Sequence, residues 1–190
     1  MTPAFMGIDP GQSGAIAYVR GGKLLDICDM PTIDKEISPA LLTQMVRMHV
    51  VEAVAVEKVW AAPTQGRTQG AQTSFKFGKA HGMALGAVGA LLVALYEPTP
   101  QTWKKTFGLN ADKERSRALA TKLFPDMAEL FKFKVNADRA EAALIALWCE
   151  RHHQGPNYDR PDGAPERLPG LRLRLRDSDR ERLARHRLAR

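Results

Sequence analysis

Apolar positions open the chain in three short runs, at residues 4–9, 14–20 and 23–30. Each has the length and the β-branched and aromatic content of a strand. "DPGQSG" separates the first two and "RGG" the next, so the spacing predicts an antiparallel meander. After Ser38, Pro39 stands in a first helical turn and Leu41, Leu42, Met45, Val46 and Met48 recur at helical spacing. "EAVAVEKVW" (52–60) then predicts a buried strand ending at Glu57. The remaining pattern predicts a long helix over 72–95, a brief strand over 95–98 and a short helix over 102–107. Two more helices follow, over 112–124 and 137–152. An early meander followed by alternating strands and helices specifies a mixed α/β domain, and there is no internal repeat.

Two helices carry residues that their pattern does not call for. In the long helix Gly78, Gly82 and Gly86 recur every four residues, and Gly89 extends the same face. Each glycine costs about 1 kcal/mol against alanine in a helix, so this face is expected to meet another backbone closely. The partner is either an element of the same chain or the same helix of a second subunit. In the last helix, "NADRAEAALIALW" (136–148) is plainly apolar, yet it carries Asp138 and Glu141 one turn apart. At about 100° per residue, Glu141 falls within the arc of Leu144, Ile145 and Trp148, and Asp138 lies at its edge.

Composition sets limits. A chain of 190 residues with 44% hydrophobic and 26% charged residues reads as soluble and globular, one domain with extras or at most two small domains. The longest apolar run, 82–96, is shorter than the ~20 residues that span a bilayer. "MTPAFMGID" lacks the basic flank and apolar stretch of a secretory signal. Cys28 and Cys149 have no metal-type spacing and read as reduced thiols in a cytoplasm. Residues 151–190 hold 11 of the 28 basic residues, all arginine, and 6 of the 21 acids, which accounts for +5 of the net +7. The division expected is a folded domain over 1–152 and an Arg-rich tail over 153–190 that contains Pro and Gly. That tail is either solvated and flexible or a nonspecific phosphate-binding arm.

Four acids gain meaning together. Asp9 closes the first strand and Glu57 the fourth, while Asp138 and Glu141 head the last helix. Singly, each has a bland reading: turn chemistry for Asp-Pro-Gly, emergence into solvent for Glu57, the helix dipole for the pair. If the first and fourth strands are parallel neighbours, Asp9 and Glu57 stand side by side at the edge where open α/β sheets place ligands. A last helix packed across that edge adds Asp138 and Glu141. Carboxylates so grouped repel one another. A hard divalent cation removes the penalty, and oxygen ligands select Mg²⁺ or Mn²⁺ over zinc. Two such ions about 4 Å apart suit phosphodiester cleavage.

"GIDPGQSG", "AVEKVW" followed by "SFKFGKAHGMALGAV", and "NADRAEAALIAL" resemble, in order and spacing, the successive motifs of RuvC-type Holliday junction resolvases in the ribonuclease H-like superfamily. The likeness covers residues 4 to 150. It implies a ribonuclease H-like mixed sheet, an antiparallel three-strand meander plus parallel strands, flanked by helices. It also implies a Mg²⁺-dependent structure-selective endonuclease that cleaves four-way junctions and other branched DNA. On this resemblance Asp9, Glu57, Asp138 and Glu141 fall on the family's metal-binding acids, holding two Mg²⁺ per site, with Mn²⁺ as a substitute. The fourth acid is usually aspartate in the bacterial enzymes, so Glu141 departs from the pattern, and "DRAEA" is more similar to the phage-encoded branch. Lys104 and Lys113, in "TWKKTFGLNADKERSR", match basic residues facing the scissile phosphate. Trp60 matches an aromatic inserted at the crossover, although a tryptophan beside a strand end also suits a core. Lys105 and Arg115 are candidates for backbone contacts, as are Lys76, Lys79 and His81 on the long helix. Arg117 is a further candidate for such contacts, although for Arg115 and Arg117 a solvated helix face is the stronger reading. The family works as a homodimer, in the cytoplasm (the host's, if phage-encoded) and without a membrane.

Other readings compete. One is a ribonuclease H-like nuclease acting on RNA, and another a junction-binding protein without catalysis. "GIDPGQSG" also resembles the first phosphate loop of sugar-kinase and actin-like ATPases. Those folds need two such domains and a second phosphate motif, which this length does not supply. Four retained acids argue against pure phosphate binding, where negative charge is a handicap.

Overall fold

A computed structural model describes residues 2–58 and 70–155. Trp60 and nearly all of the Arg-rich tail, from residue 156 on, lie outside the described residues. Five strands form the central sheet: β1 (Ala4–Asp9), β2 (Ala15–Arg20), β3 (Lys23–Asp29), β6 (Val51–Val56) and β7 (Ala94–Tyr96). A small hairpin, β4 (Thr32–Ile33) with β5 (Glu36–Ile37), stands apart from it. The sheet order is β3-β2-β1-β6-β7. The first three strands pair antiparallel, as the meander pattern predicts, and β6 pairs parallel with both β1 and β7. This is the mixed sheet, an antiparallel three-strand meander plus parallel strands flanked by helices, that the resemblance implies.

The helices are α1 (Pro39–Met48), α2 (Ala71–Gly89), α3 (Pro100–Thr106), α4 (Lys113–Leu123) and α5 (Ala137–Gln154), with two 3-10 segments, Pro125–Phe131 and Lys134–Asn136, between the last two. Side-chain caps fix three starts. Ser38 accepts from the Leu41 amide, Thr99 from Thr102 and Asp112 from Glu114. Two buried clusters sandwich the sheet. Phe5, Trp103, Leu144 and Ile145 belong to one, under α4 and α5; Met6, Ile8, Leu42 and Val88 belong to the other, under α1 and α2. The alternation of Phe5 with Met6 and Ile8 is the period-2 signature of a strand covered on both faces.

Gly7 sets the depth at which α5 sits. A Cβ on Gly7 would lie 2.2 Å from the Ala146 nitrogen and 2.4 Å from the Ala142 carbonyl oxygen. Backbone meets backbone there, and the alanine-rich stretch 140–146 is the helix side of that approach. The geometry carries Asp9 to the acids of α5. Two residues along a strand cover about 6.6 Å, which is about four and a half residues of helix. From the level of 142–146 that reaches the first turn and a half of α5.

One expected helix boundary is corrected, and one of the alternatives for the glycine face is narrowed. The long helix stops at Gly89 rather than continuing to 95, because Leu92 adopts a left-handed backbone (φ 57°) and turns the apolar run 91–95 into a loop and β7. The glycine face of α2 meets no backbone among the described residues. Gly78, Gly82, Gly86 and Gly89 are exposed, and a Cβ on any of them would touch nothing among the described residues. The helix instead buries Ala84, Ala87 and Val88 on its opposite side. Among the described residues no helix is long and apolar enough to cross a membrane.

Candidate metal centre

The parallel β1–β6 pairing brings two strand ends to one edge. Asp9 is the last residue of β1, and Glu57 follows β6 directly, its amide donating to the Ile8 carbonyl at 2.9 Å. Across this edge α5 presents Asp138 in its first turn and Glu141 one turn later. One carboxylate oxygen each from Asp9, Asp138 and Glu141 falls within a 4.8 Å group. Glu57 is outside that group and lines the same cleft, of about 770 Å³, with Asp9, Asp138, Lys58, Phe77 and Lys113. Three of the four predicted acids therefore converge, and the fourth faces them.

Two lysines answer them. Lys104 Nζ, from α3, lies 2.7 Å from Glu141 Oε1. Lys113 Nζ, from the first turn of α4, lies 2.5 Å from Asp138 Oδ1 and 3.7 Å from Glu141 Oε2. Glu141 is almost wholly buried at 4% exposure, so its ion pair with Lys104 is a desolvated one. Its Oε1 also accepts from Ser116 Oγ at 3.1 Å. Glu57 Oε1 accepts from the Trp103 indole N–H at 2.7 Å.

Four carboxylates against two ammonium groups leave the centre short of positive charge. Burial, followed by the charges of Glu57, Asp138 and Glu141, pushes the Asp9 carboxyl well above the usual carboxylate range, with only Lys113 opposing. Burial likewise raises Glu57, helped by Glu141, against the Trp103 hydrogen bond and the charges of Lys104 and Lys113. Burial works against the charge of Lys113, but its hydrogen bond to Asp138 and the charges of Asp138, Glu141 and Asp9 outweigh that, and its pKa is raised. An all-oxygen donor set with uncompensated negative charge fits a hard divalent cation.

No protein-family model matches the chain. It is 29% identical to the crossover junction endodeoxyribonuclease RuvC of Zymomonas mobilis subsp. mobilis, an alignment spanning 78% of this chain and 91% of that protein. Its fold superimposes on T. thermophilus RuvC in complex with Holliday junction substrate with a TM-score of 0.59 at 22% identity, covering 79% of this chain and 96% of that one. A second Thermus thermophilus RuvC structure gives 0.54, also at 22% identity, covering 78% and 96%. The chain is RuvC-like.

The other basic residues singled out from the RuvC-like motifs are distributed unevenly. Lys79 is on the exposed side of α2 and pairs with Glu36 at 2.6 Å, away from the acids. Lys76, Lys105 and Arg115 are exposed and reach none of the acids. His81 lies 3.6 Å from Glu97. Arg117 is tied to Glu114 and to the carbonyls of Phe131 and Lys132, which makes it a brace for the first 3-10 segment. Sequence reasoning missed Trp103 and Ser116. A tryptophan and a serine on short amphipathic helices read as core and surface, and only the fold aims their N–H and O–H at the acids.

Proposed function

We propose that this RuvC-like chain is a Mg²⁺-dependent, structure-selective endonuclease that cleaves Holliday junctions and related branched DNA by phosphodiester hydrolysis. The observation that carries the reading is the convergence of Asp9, Asp138 and Glu141 carboxylate oxygens within 4.8 Å of one another, beside a cleft that Asp9, Asp138 and Glu57 line, answered by two lysines from different helices. That the curated relative is a crossover junction endodeoxyribonuclease supports the reaction class, and a fold shared with a junction-bound neighbour supports the substrate.

Asp9, Glu57, Asp138 and Glu141 would hold two Mg²⁺, with Mn²⁺ as a substitute. Bound there, the ions supply Lewis acidity and lower the pKa of water. The chain's own residues do the rest. The acids fix where the scissile phosphate docks. Lys113, more than half exposed at the cleft, offers a mobile positive charge to the phosphate oxygens as negative charge develops. Lys104, paired with Glu141 at 2.7 Å, holds that acid in place. Lys76, Lys105 and Arg115 contribute exposed positive charge for backbone phosphates, and Trp60 a wedge at the branch point.

The chain acts as a homodimer, so that two centres nick a two-fold junction symmetrically. The open glycine stripe of α2 suits a close helix–helix seam. Labelled four-way junction, linear duplex and RNA–DNA hybrid, each incubated with protein and Mg²⁺, test the reading. Paired nicks in the junction with the others spared are expected. Cleavage of the hybrid alone would make the chain a nuclease acting on RNA, and binding of the junction without nicking a non-catalytic binder.

A further inference from the structure

The two glutamates of the centre differ from the two aspartates in one respect: each has an additional rotatable bond between backbone and carboxylate. Hydrogen bonds from neutral side chains go to the glutamates. The Trp103 N–H takes Glu57 Oε1 at 2.7 Å, and the Ser116 hydroxyl takes Glu141 Oε1 at 3.1 Å. Neither donor is at the surface. Trp103 and Ser116 are both fully buried, so the bonds are shielded from competition with water. In each case the donor engages one oxygen and leaves Oε2 unclaimed by it. Trp103 and Lys104 are consecutive on α3 yet serve different acids, the indole Glu57 and the ammonium Glu141. The helix therefore joins the end of β6 to the first turns of α5.

Resting on the metal-centre reading above, we infer that Trp103 and Ser116 are positioning residues. They hold Glu57 and Glu141 so that each directs a single oxygen, Oε2, toward the cation. A free glutamate could swing out of the cleft or close on an ion with both oxygens. The donors remove that freedom and make the longer acid act as a short one. At position 141, Ser116 takes up the extra reach of the glutamate. Hydrogen-bond partners of this kind are worth 10–100-fold in metal affinity or activity.

The test is calorimetric Mn²⁺ titration of the full chain, with the Mn²⁺ electron paramagnetic resonance spectrum as a second readout. S116A, S116T, W103F and D138N are measured beside the parent. Binding by S116A and W103F about 10–100-fold weaker than the parent, an altered spectrum, and recovery in S116T, which keeps the hydroxyl, would support positioning. Parent-like affinity and spectrum in folded S116A would overturn it for Glu141, and the same in W103F for Glu57. S116A alters no large side chain, so it decides the role of Ser116 toward Glu141 even if W103F does not fold. A parent that binds no Mn²⁺, or binds it as well with Asp138→Asn, would instead bring down the metal-centre reading and this inference with it.

Discussion

Gly7 of β1 and Ala146 of α5 touch backbone to backbone: a methyl on Gly7 would stand 2.2 Å from the Ala146 nitrogen. This contact sets how far α5 lies along β1, and so where Asp138 and Glu141 fall relative to Asp9. Gly7→Ala should therefore push the helix off the sheet at its most constrained point. Overpacking costs about 1–3 kcal/mol, occasionally more, and backbone on both sides puts this case at the upper end. Urea denaturation should show the loss, and Mn²⁺ affinity should fall with it, since the acids separate.

The two lysines differ in burial, and their removal should differ in cost. Lys104 is 12% exposed beside a 5% exposed Glu141 side chain, whereas Lys113 is 54% exposed. Lys104→Ala leaves a buried carboxylate with Lys113, 3.7 Å away, as its remaining cation and should destabilise the metal-free protein by about 3 kcal/mol. Lys113→Ala should cost about 1 kcal/mol or less in stability. In junction cleavage Lys113→Ala should be the more specific lesion, losing about 10²–10³ in kcat while the fold persists. Denaturation midpoints and single-turnover rates on the same preparations separate the two effects.

Acidity and metal should trade against each other. Asp9 and Glu57 have folded-state pKa values raised above their unfolded ones by burial and by neighbouring acids. The folded state thus holds more protons than the unfolded one at pH values above the ordinary carboxylate pKa of about 4. Their contribution to stability in the metal-free protein is fully present at low pH and lost as pH rises through the raised values. Lys113 has a raised pKa of its own, whose stabilising contribution is constant until pH approaches its ordinary ~10.5. Mg²⁺ competes with the protons, so its increment in Tm should grow from acid to neutral pH. A Mg²⁺ increment that is flat across that range would contradict the assignment. Melting curves in EDTA and in Mg²⁺ across the series measure it.

The open glycine stripe on α2 makes a prediction of opposite sign for fold and assembly. Nothing among the described residues opposes a side chain at Gly82, and replacing an exposed helical glycine should gain a few tenths to about 1 kcal/mol in the monomer. If the stripe is the seam between two copies, Gly82→Leu should nevertheless convert dimer to monomer in sedimentation, with Tm of the subunit undiminished. A variant that stays dimeric would locate the seam elsewhere.

The thiols should be inert. Burial, with the charges of Asp26 and Asp29, pushes Cys28 up to about 11, and burial raises Cys149. At pH 8 a thiol of that kind is ~0.1% thiolate. Iodoacetamide should modify neither at an appreciable rate until the chain is unfolded, as mass spectrometry of native and denatured samples would show.

Much of this was legible in the residues because the signals were periodic. The meander, the Ser38–Pro39 helix start and the final helix all follow from spacing and caps, and the acids were visible because they interrupt apolar patterns. What escaped depends on backbone conformation or on tertiary aim. The β4–β5 hairpin turns on Asp34 and Lys35, both left-handed at φ 51° and 63°. A turn of that kind is ordinarily announced by asparagine and glycine, and Asp-Lys gives no such notice. The end of α2 was hidden because Leu91, Leu92 and Val93 continue the apolar run while Leu92 breaks the helix. The glycine stripe was read for what it permits, close approach, without anything in the chain to say which side the helix would bury. Trp103 and Ser116 became visible only when α3 and α4 were seen to aim them at Glu57 and Glu141.

The most direct test of the central claim is Mg²⁺-dependent nicking of a labelled symmetric four-way junction by the parent chain and by Asp138→Asn. Paired nicks at symmetric positions are expected from the parent, and from the variant nicking reduced beyond detection while junction binding is retained. Cleavage that persists in Asp138→Asn, or that proceeds equally in EDTA, would contradict the claim.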